Sequence, residues 1–435
     1  MRRFRLSLLS VLLAVFSVGS THSQMYFPPL TGNQWDTIPI SDLGWCQDSV
    51  DALLDYLEAQ NTKSFVVLKD GRVVVEHYFG TYTQDSVWYW ASAGKSLLGF
   101  LVGCAQEDGF LDINARTDQY MGTGWSQAPP TKEALIKVFH HLSMTTGLDE
   151  GVPDPDCYAD TCFQYLVDAG TRWAYHNGPY RFLQPLLEAV TGNSLNSITL
   201  NRVGLRIGMG GFWFNHVRFG TARDMARFGL LTLNQGIWDN DTLLHDTAYF
   251  NAMVRPSQTL NRSYGYLWWL NGQGTFMVPG SQLVIPFDLI PNAPADMYAA
   301  LGLNDQKIYV VPSESLVVVR QGNDAGVISP AVSSFDDELW GRLSNLSCAV
   351  AISPQPTATW HISPNPVSER LRIHGLSPGN TEVALYTVTG KQANHFSALA
   401  SGQVLEIKVA GLVPGIYLAE VSQAGRTERM KVWVR

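Results

Sequence analysis

The chain is predicted to fold as an α/β protein, an antiparallel sheet flanked by helices plus a helical subdomain, followed by a small all-β sandwich. Three observations carry this. β-rich hairpin patterns stand near Ser64 and again near Gln306, apolar helical patterns fill the stretch between them, and the residues beyond 361 break into short alternating segments. The 435 residues are 46% hydrophobic and 16% charged, a globular composition with ample chain for a large core.

Arg2, Arg3 and Arg5 precede the apolar run Leu6 to Val18, so residues 1–23 are expected to be a signal peptide; the run is short for a membrane span. The main domain is expected over 24–348. After an extended lead-in, Asp48 to Ala59 places Val50, Leu53, Leu54 and Leu57 at helical spacing, with Asp48 as the expected N-cap. Ser64 to Leu68 and Arg72 to Phe79 flank Lys69-Asp70-Gly71, a hairpin signal. The apolar helix carrying Ser92 and Lys95 follows and is expected to end near Asp108-Gly109. Further helices are expected over Leu135 to Leu142, Phe182 to Val190 and Met225 to Asn234, the last with Thr221 as N-cap and Asp224 in the capping-box position. A second hairpin, Gln306 to Val311 and Leu316 to Gln321, precedes a closing helix, Phe335 to Leu346. Residues 349–361 read as a linker, and 362–435 as a β-sandwich with strands at Leu371 to His374, Glu382 to Val388, Val404 to Val409, Ile416 to Val421 and Thr427 to Val434.

Charge and cysteines narrow the function classes. Net charge is −8, but residues 350–435 hold eight Lys+Arg and five Asp+Glu, and residues 6–349 hold 19 against 33, a balance of −14. An acidic main domain argues against nucleic acid or an anionic membrane as partner. Of the five cysteines, Cys157 and Cys162 are the best candidate disulfide; Cys46 and Cys348 lie near the two ends of the main domain and could join them; Cys104 is in register with Leu97 and Leu101 and reads as a buried thiol. None has zinc spacing, and the adjacent His140 and His141 diverge on a helix, which favours packing or capping over metal binding. Trp268 and Trp269 read as core before ligand wall.

The chemistry concentrates at Ser92 and Lys95. Three apart on a helix, they share a face, and a desolvated lysine is one of the few groups able to activate a serine hydroxyl. Gly94-Lys95-Ser96 is no phosphate loop, because the glycine required five residues before Gly94 is Tyr89.

Ser92-Ala93-Gly94-Lys95, Leu142 to Leu148, Tyr175-His176-Asn177 and Thr221 to Gly229 together resemble, in order and spacing, the class C β-lactamase-like serine hydrolases across nearly all of residues 45–347. The resemblance implies a serine hydrolase that cleaves an ester or amide without metal or organic cofactor. It implies Ser92 as acylated nucleophile, Lys95 as its proton acceptor, Tyr175 as phenolate or proton relay, and Asn177 bonded to Lys95 and to the substrate amide. Where β-lactamases carry Lys-Thr-Gly, this chain has Ala300-Leu301-Gly302, without the cation that holds a β-lactam carboxylate. Gly302 permits close approach, so the N–H groups of Leu303 and Ser92 are the expected oxyanion hole. The pattern is similar to the esterase and 6-aminohexanoate-dimer hydrolase branches more than to true β-lactamases; β-lactamase, DD-peptidase and a non-catalytic penicillin-recognising module are the alternatives.

Ile362 to Pro366, Leu385 to Lys391 and Gly411 to Tyr417 resemble the type IX secretion sorting domain, with a carbohydrate-binding sandwich as the alternative. That resemblance implies the type IX machinery as a partner and export through a Gram-negative periplasm to the surface or medium.

Overall fold

The computed structural model describes residues 25–325, 333–348, 360–388 and 390–435. The expected signal peptide and nearly all of the expected linker lie outside these. Helix α1 (Gln47–Ala59) leads into the hairpin of β1 (Thr62–Lys69) and β2 (Arg72–Tyr78). Asp48 lies in the first turn of α1 rather than capping it; Cys46 is the N-cap, without a side-chain bond. The tight hairpin turn is possible because Asp70 and Gly71 both adopt positive φ, 51° and 79°.

Next come α2 (Gly94–Glu107), α3 (Asn177–Thr191) and α4 (Ala222–Leu233), then β3 (Trp269–Leu270), β4 (Tyr298–Gly302), β5 (Gln306–Val311), β6 (Leu316–Gly322) and α5 (Ser334–Leu343). The six strands form one antiparallel sheet in the order β2-β1-β6-β5-β4-β3, so the two hairpins read from the sequence meet where β1 pairs β6, with Val66 opposite Val319. α4 packs against β6, β5 and β1. Tyr56 of α1 stacks on Phe335 of α5, and Tyr309 of β5 meets Trp340 of α5 edge-on. Burial on both sides explains the continuous Val/Ile runs of β5 and β6, every residue of which is buried.

α2 is the central helix: its residues Gly94 to Ala105 are all buried, so its apolar surface runs all round. Two expected helices differ. Leu135 to Leu142 is helical only over Val138–Leu142, because Lys137 is extended and bridges Arg116. The Phe182 helix begins five residues earlier, at Asn177, and carries Pro185 within it. At the Thr221 turn the reciprocal capping bonds with Asp224 are formed, as the sequence suggests.

Cys46 is bonded to Cys348 and Cys157 to Cys162, while Cys104 is a buried free thiol. His140 Nδ1 accepts from the Lys137 N–H, and the buried His141 bridges the Pro179 carbonyl and the Thr117 hydroxyl, so both imidazoles serve structure.

Beyond residue 360, β7 (His361–Ser363), β8 (Arg370–His374) and β11 (Val404–Lys408) form one sheet. β9 (Gly379–Thr387), β10 (Gln392–Ala400), β12 (Gly415–Gln423) and β13 (Arg426–Val434) form the other. Leu371, Ile373, Val383, Leu385, Ala419, Val421 and Val432 fill the core between them. The sequence reading misses β7 and the edge strand β10, whose polar residues Gln392, Asn394 and His395 mask the alternation. Among the described residues no helix is long and apolar enough to cross a membrane.

Candidate active site

Ser92 does not lie in α2 itself. It is the middle residue of a 3₁₀ turn, Ala91–Ala93, that feeds directly into the N-terminus of α2, with Lys95 in the helix's first turn. The turn is entered by a short strand, Trp88–Tyr89, paired with Val217–Gly220, and by a bond from the Trp90 N–H to the Arg218 carbonyl at 2.8 Å. Ala91 has φ 47°, an uncommon backbone state for a residue with a Cβ, held here by structure on either side. The outcome is a serine at the positive end of a buried helix dipole.

Lys95 Nζ stands 3.2 Å from Ser92 Oγ. Lys95 is 4% exposed, and its amine lies 3.9 Å from the centre of the Tyr180 ring and 5.3 Å from that of Tyr175. Burial brings the ammonium down from its ordinary 10.5 to about 7; Arg181 pushes in the same direction and Asp156 opposes. A neutral amine within reach of the hydroxyl is thus populated near neutral pH.

Tyr175 is partly buried, stacked on Trp269 with centroids 5.8 Å apart and edge-on to Tyr264. It is placed by the preceding residue, whose N–H (Ala174) bonds the Met144 carbonyl at 2.9 Å, so the Leu142 to Leu148 segment acts as its template. Burial pushes the Tyr175 phenol above its ordinary range, with an interaction from Ser92 pulling the other way. The phenolate considered from the sequence is therefore disfavoured, and the neutral phenol is the resting form.

Asn177 is placed differently from expectation. Its Nδ2 donates to Asp156 Oδ1 at 2.7 Å rather than its side chain engaging Lys95, and its Oδ1 is buried without a hydrogen-bond partner. The cause is Asp156, which the sequence offered no reason to select except its position beside Cys157.

Gly302 ends β4 against the Ser92 turn. A Cβ there would stand 2.5 Å from the Trp90 carbonyl oxygen and 3.0 Å from the Ala93 nitrogen, so only glycine allows the strand this close. Leu303 follows, 46% exposed, and Asn304 donates to the Tyr89 hydroxyl at 2.7 Å, tying this loop to the strand before Ser92. Below the loop lies a network that sequence reasoning missed. Lys307 Nζ is 3.2 Å from Asp305 and 2.9 Å from Asp336, all three buried, and Arg320 bonds the carbonyls of Asn304 and Asp305. At the position of the expected β-lactam cation, Ala300 is buried and apolar.

The sequence family described as beta-lactamase matches residues 51–332. The chain belongs to the beta-lactamase family. Residues 361–435 match the secretion system C-terminal sorting domain, which implies the type IX secretion machinery as partner and export to the surface or medium. No curated protein sequence gives a significant match. Among solved structures, this beta-lactamase-family chain is similar in fold to a protein assigned as a 6-aminohexanoate-dimer hydrolase from Bacillus anthracis: TM-score 0.53, 20% identity, covering 74% of this chain and 88% of that one. A penicillin-binding protein homologue from Caulobacter crescentus gives 0.51 and 14%, covering 69% and 97%. A family VIII carboxylesterase gives 0.50 and 14%, covering 68% and 97%.

Proposed function

We propose that this chain is an exported serine hydrolase that cleaves an ester or a linear amide through an acyl-enzyme at Ser92. The observation that carries the reading is the 3.2 Å contact between Ser92 Oγ and a buried Lys95, whose pKa burial lowers to about 7. Lys95 takes the Ser92 proton as Oγ attacks the carbonyl carbon. The oxyanion is received by the N–H groups of Ser92 and Leu303 at the helix N-terminus. Tyr175, as a neutral phenol between Lys95 and the leaving group, passes the proton on as the carbon–oxygen or carbon–nitrogen bond breaks. Water then attacks the acyl-enzyme, gives up its proton through the same groups, and releases the acid with Ser92 restored.

The substrate preference rests on Ala300. Buried and apolar, it supplies no cation to the anion of a β-lactam or of a peptide ending in a carboxylate, and the main domain is acidic. The names of structural neighbours, a carboxylesterase and an aminohexanoate-dimer hydrolase among them, agree with an ester or linear amide. A side-by-side assay with a p-nitrophenyl ester, nitrocefin and a D-Ala-D-Ala peptide tests this. Turnover is expected on the ester, and efficient nitrocefin hydrolysis would overturn the preference.

A further inference from the structure

We propose that Asp156 is a positioning residue for the acylation site: it locks the Asn177 side chain in one amide orientation and, as a pair with Arg181, sets the charge environment of Lys95. The inference rests on the reading that Ser92 is acylated with Lys95 as base.

A carboxylate can only accept hydrogen bonds, so the 2.7 Å contact from Asp156 Oδ1 to Asn177 fixes the flip of the amide, with Nδ2 toward Asp156. Oδ1 is then the polar atom left over, buried and unpartnered. Asn177 is therefore left with an acceptor, its buried Oδ1, as the free end of the amide, in place of the bond to Lys95 expected from the sequence.

Asp156 is itself held from several directions. Arg181, four residues beyond Asn177 on α3, reaches its carboxylate at 3.1 Å through Nη2 and its main-chain carbonyl at 2.9 Å through Nη1. The Gly178 N–H bonds the Pro155 carbonyl at 2.9 Å, and the Cys157–Cys162 disulfide closes the loop immediately after Asp156. The loop is thus anchored along the first turn of α3, beside the Tyr175 segment.

Ser92 and the rings of Tyr175 and Tyr180 surround the Lys95 amine, and the Arg181 and Asp156 pair acts on it electrostatically. Tyr264 lies behind the two phenols, and His176 beside Asp156 is neutral above about pH 4 because it is buried. Among the described residues, Arg181 and Asp156 are the charged groups that act on Lys95, and they act on it with opposite sign.

The test compares pH profiles of ester kcat/KM at low salt for the parent, Asp156→Asn and Arg181→Gln. Removing the carboxylate is expected to move the acid-limb midpoint down, and removing the guanidinium to move it up, each by several tenths of a pH unit, with the shifts shrinking at high salt. Asp156→Leu, which also frees the Asn177 amide, is expected to lose about tenfold in kcat with a smaller change in KM. Thermal melts report folding, and should Arg181→Gln not fold, Asp156→Asn at low and high salt decides alone. Unmoved midpoints, or shifts of the same sign, overturn the inference. Ser92→Ala separates the two levels: an inactive Ser92→Ala beside unmoved midpoints sinks the role of Asp156 alone, whereas an active one sinks the acyl-enzyme reading.

Discussion

Replacing Lys95 with Met is predicted to stabilise the folded chain at low pH by an amount that shrinks as pH rises. Lys95 is almost wholly buried, and burial brings its ammonium from 10.5 to about 7. The unfolded chain keeps the ordinary value, so between 7 and 10.5 it binds more protons than the folded chain. Stability from this site is lowest below 7 and rises with pH across that window. The penalty is on the order of 5 kcal/mol below pH 7 and on the order of 2 kcal/mol at about pH 9. Methionine fills a similar volume without a charge, so the variant recovers much of the penalty at about pH 6 and less of it at about pH 9. Urea unfolding followed by tryptophan fluorescence at the two pH values measures the difference. A variant no more stable than the parent at the lower pH, or one with the same advantage at both, refutes the view that burial lowers the pKa of Lys95.

Three further outcomes are expected. Ester kcat/KM should fall about tenfold per pH unit below about 7 as Lys95 gains its proton; a flat profile from about pH 5.5 to 8 would remove Lys95 as the base. Gly302→Ala should lower kcat by about 10²- to 10³-fold, because the new methyl displaces the strand edge from the Ser92 turn and with it the Leu303 N–H; steady-state kinetics on a variant with an unchanged melt checks this. Lys307→Met should destabilise by about 3–5 kcal/mol, since Asp305 and Asp336 are left buried without their cation; a loss under about 1 kcal/mol in chemical denaturation would mean that the two acids find other partners.

What the sequence disclosed and what it withheld follow a physical division. Ser92 and Lys95 were legible because they stand three apart and are accompanied by the Leu142, Tyr175 and Thr221 motifs, and the hairpins because Asp70-Gly71 and the Val/Ile runs announce a turn and strands locally. The strands of the C-terminal sandwich were legible by the same alternation wherever one face was apolar. Contacts that close across the fold were not. Asp156 reaches Asn177 over 21 residues, Lys307 reaches Asp336 over 29, and Arg320 reaches Gln60 over 260, with no local pattern marking either partner. The role expected of Asn177 was displaced for this reason: the motif gave the residue type, and a carboxylate from a distant loop decided which atom it presents. Trp269 is buried in the core, as read from the sequence, and stacks on the ring of Tyr175.

The acyl-enzyme at Ser92 is tested most directly by intact-protein and peptide mass spectrometry after exposure to a fluorophosphonate and, separately, to a slowly hydrolysed activated ester. One adduct per chain on the peptide carrying Ser92, absent in Ser92→Ala together with ester turnover, is the predicted result. An adduct on another residue, or turnover that survives in Ser92→Ala, would contradict it.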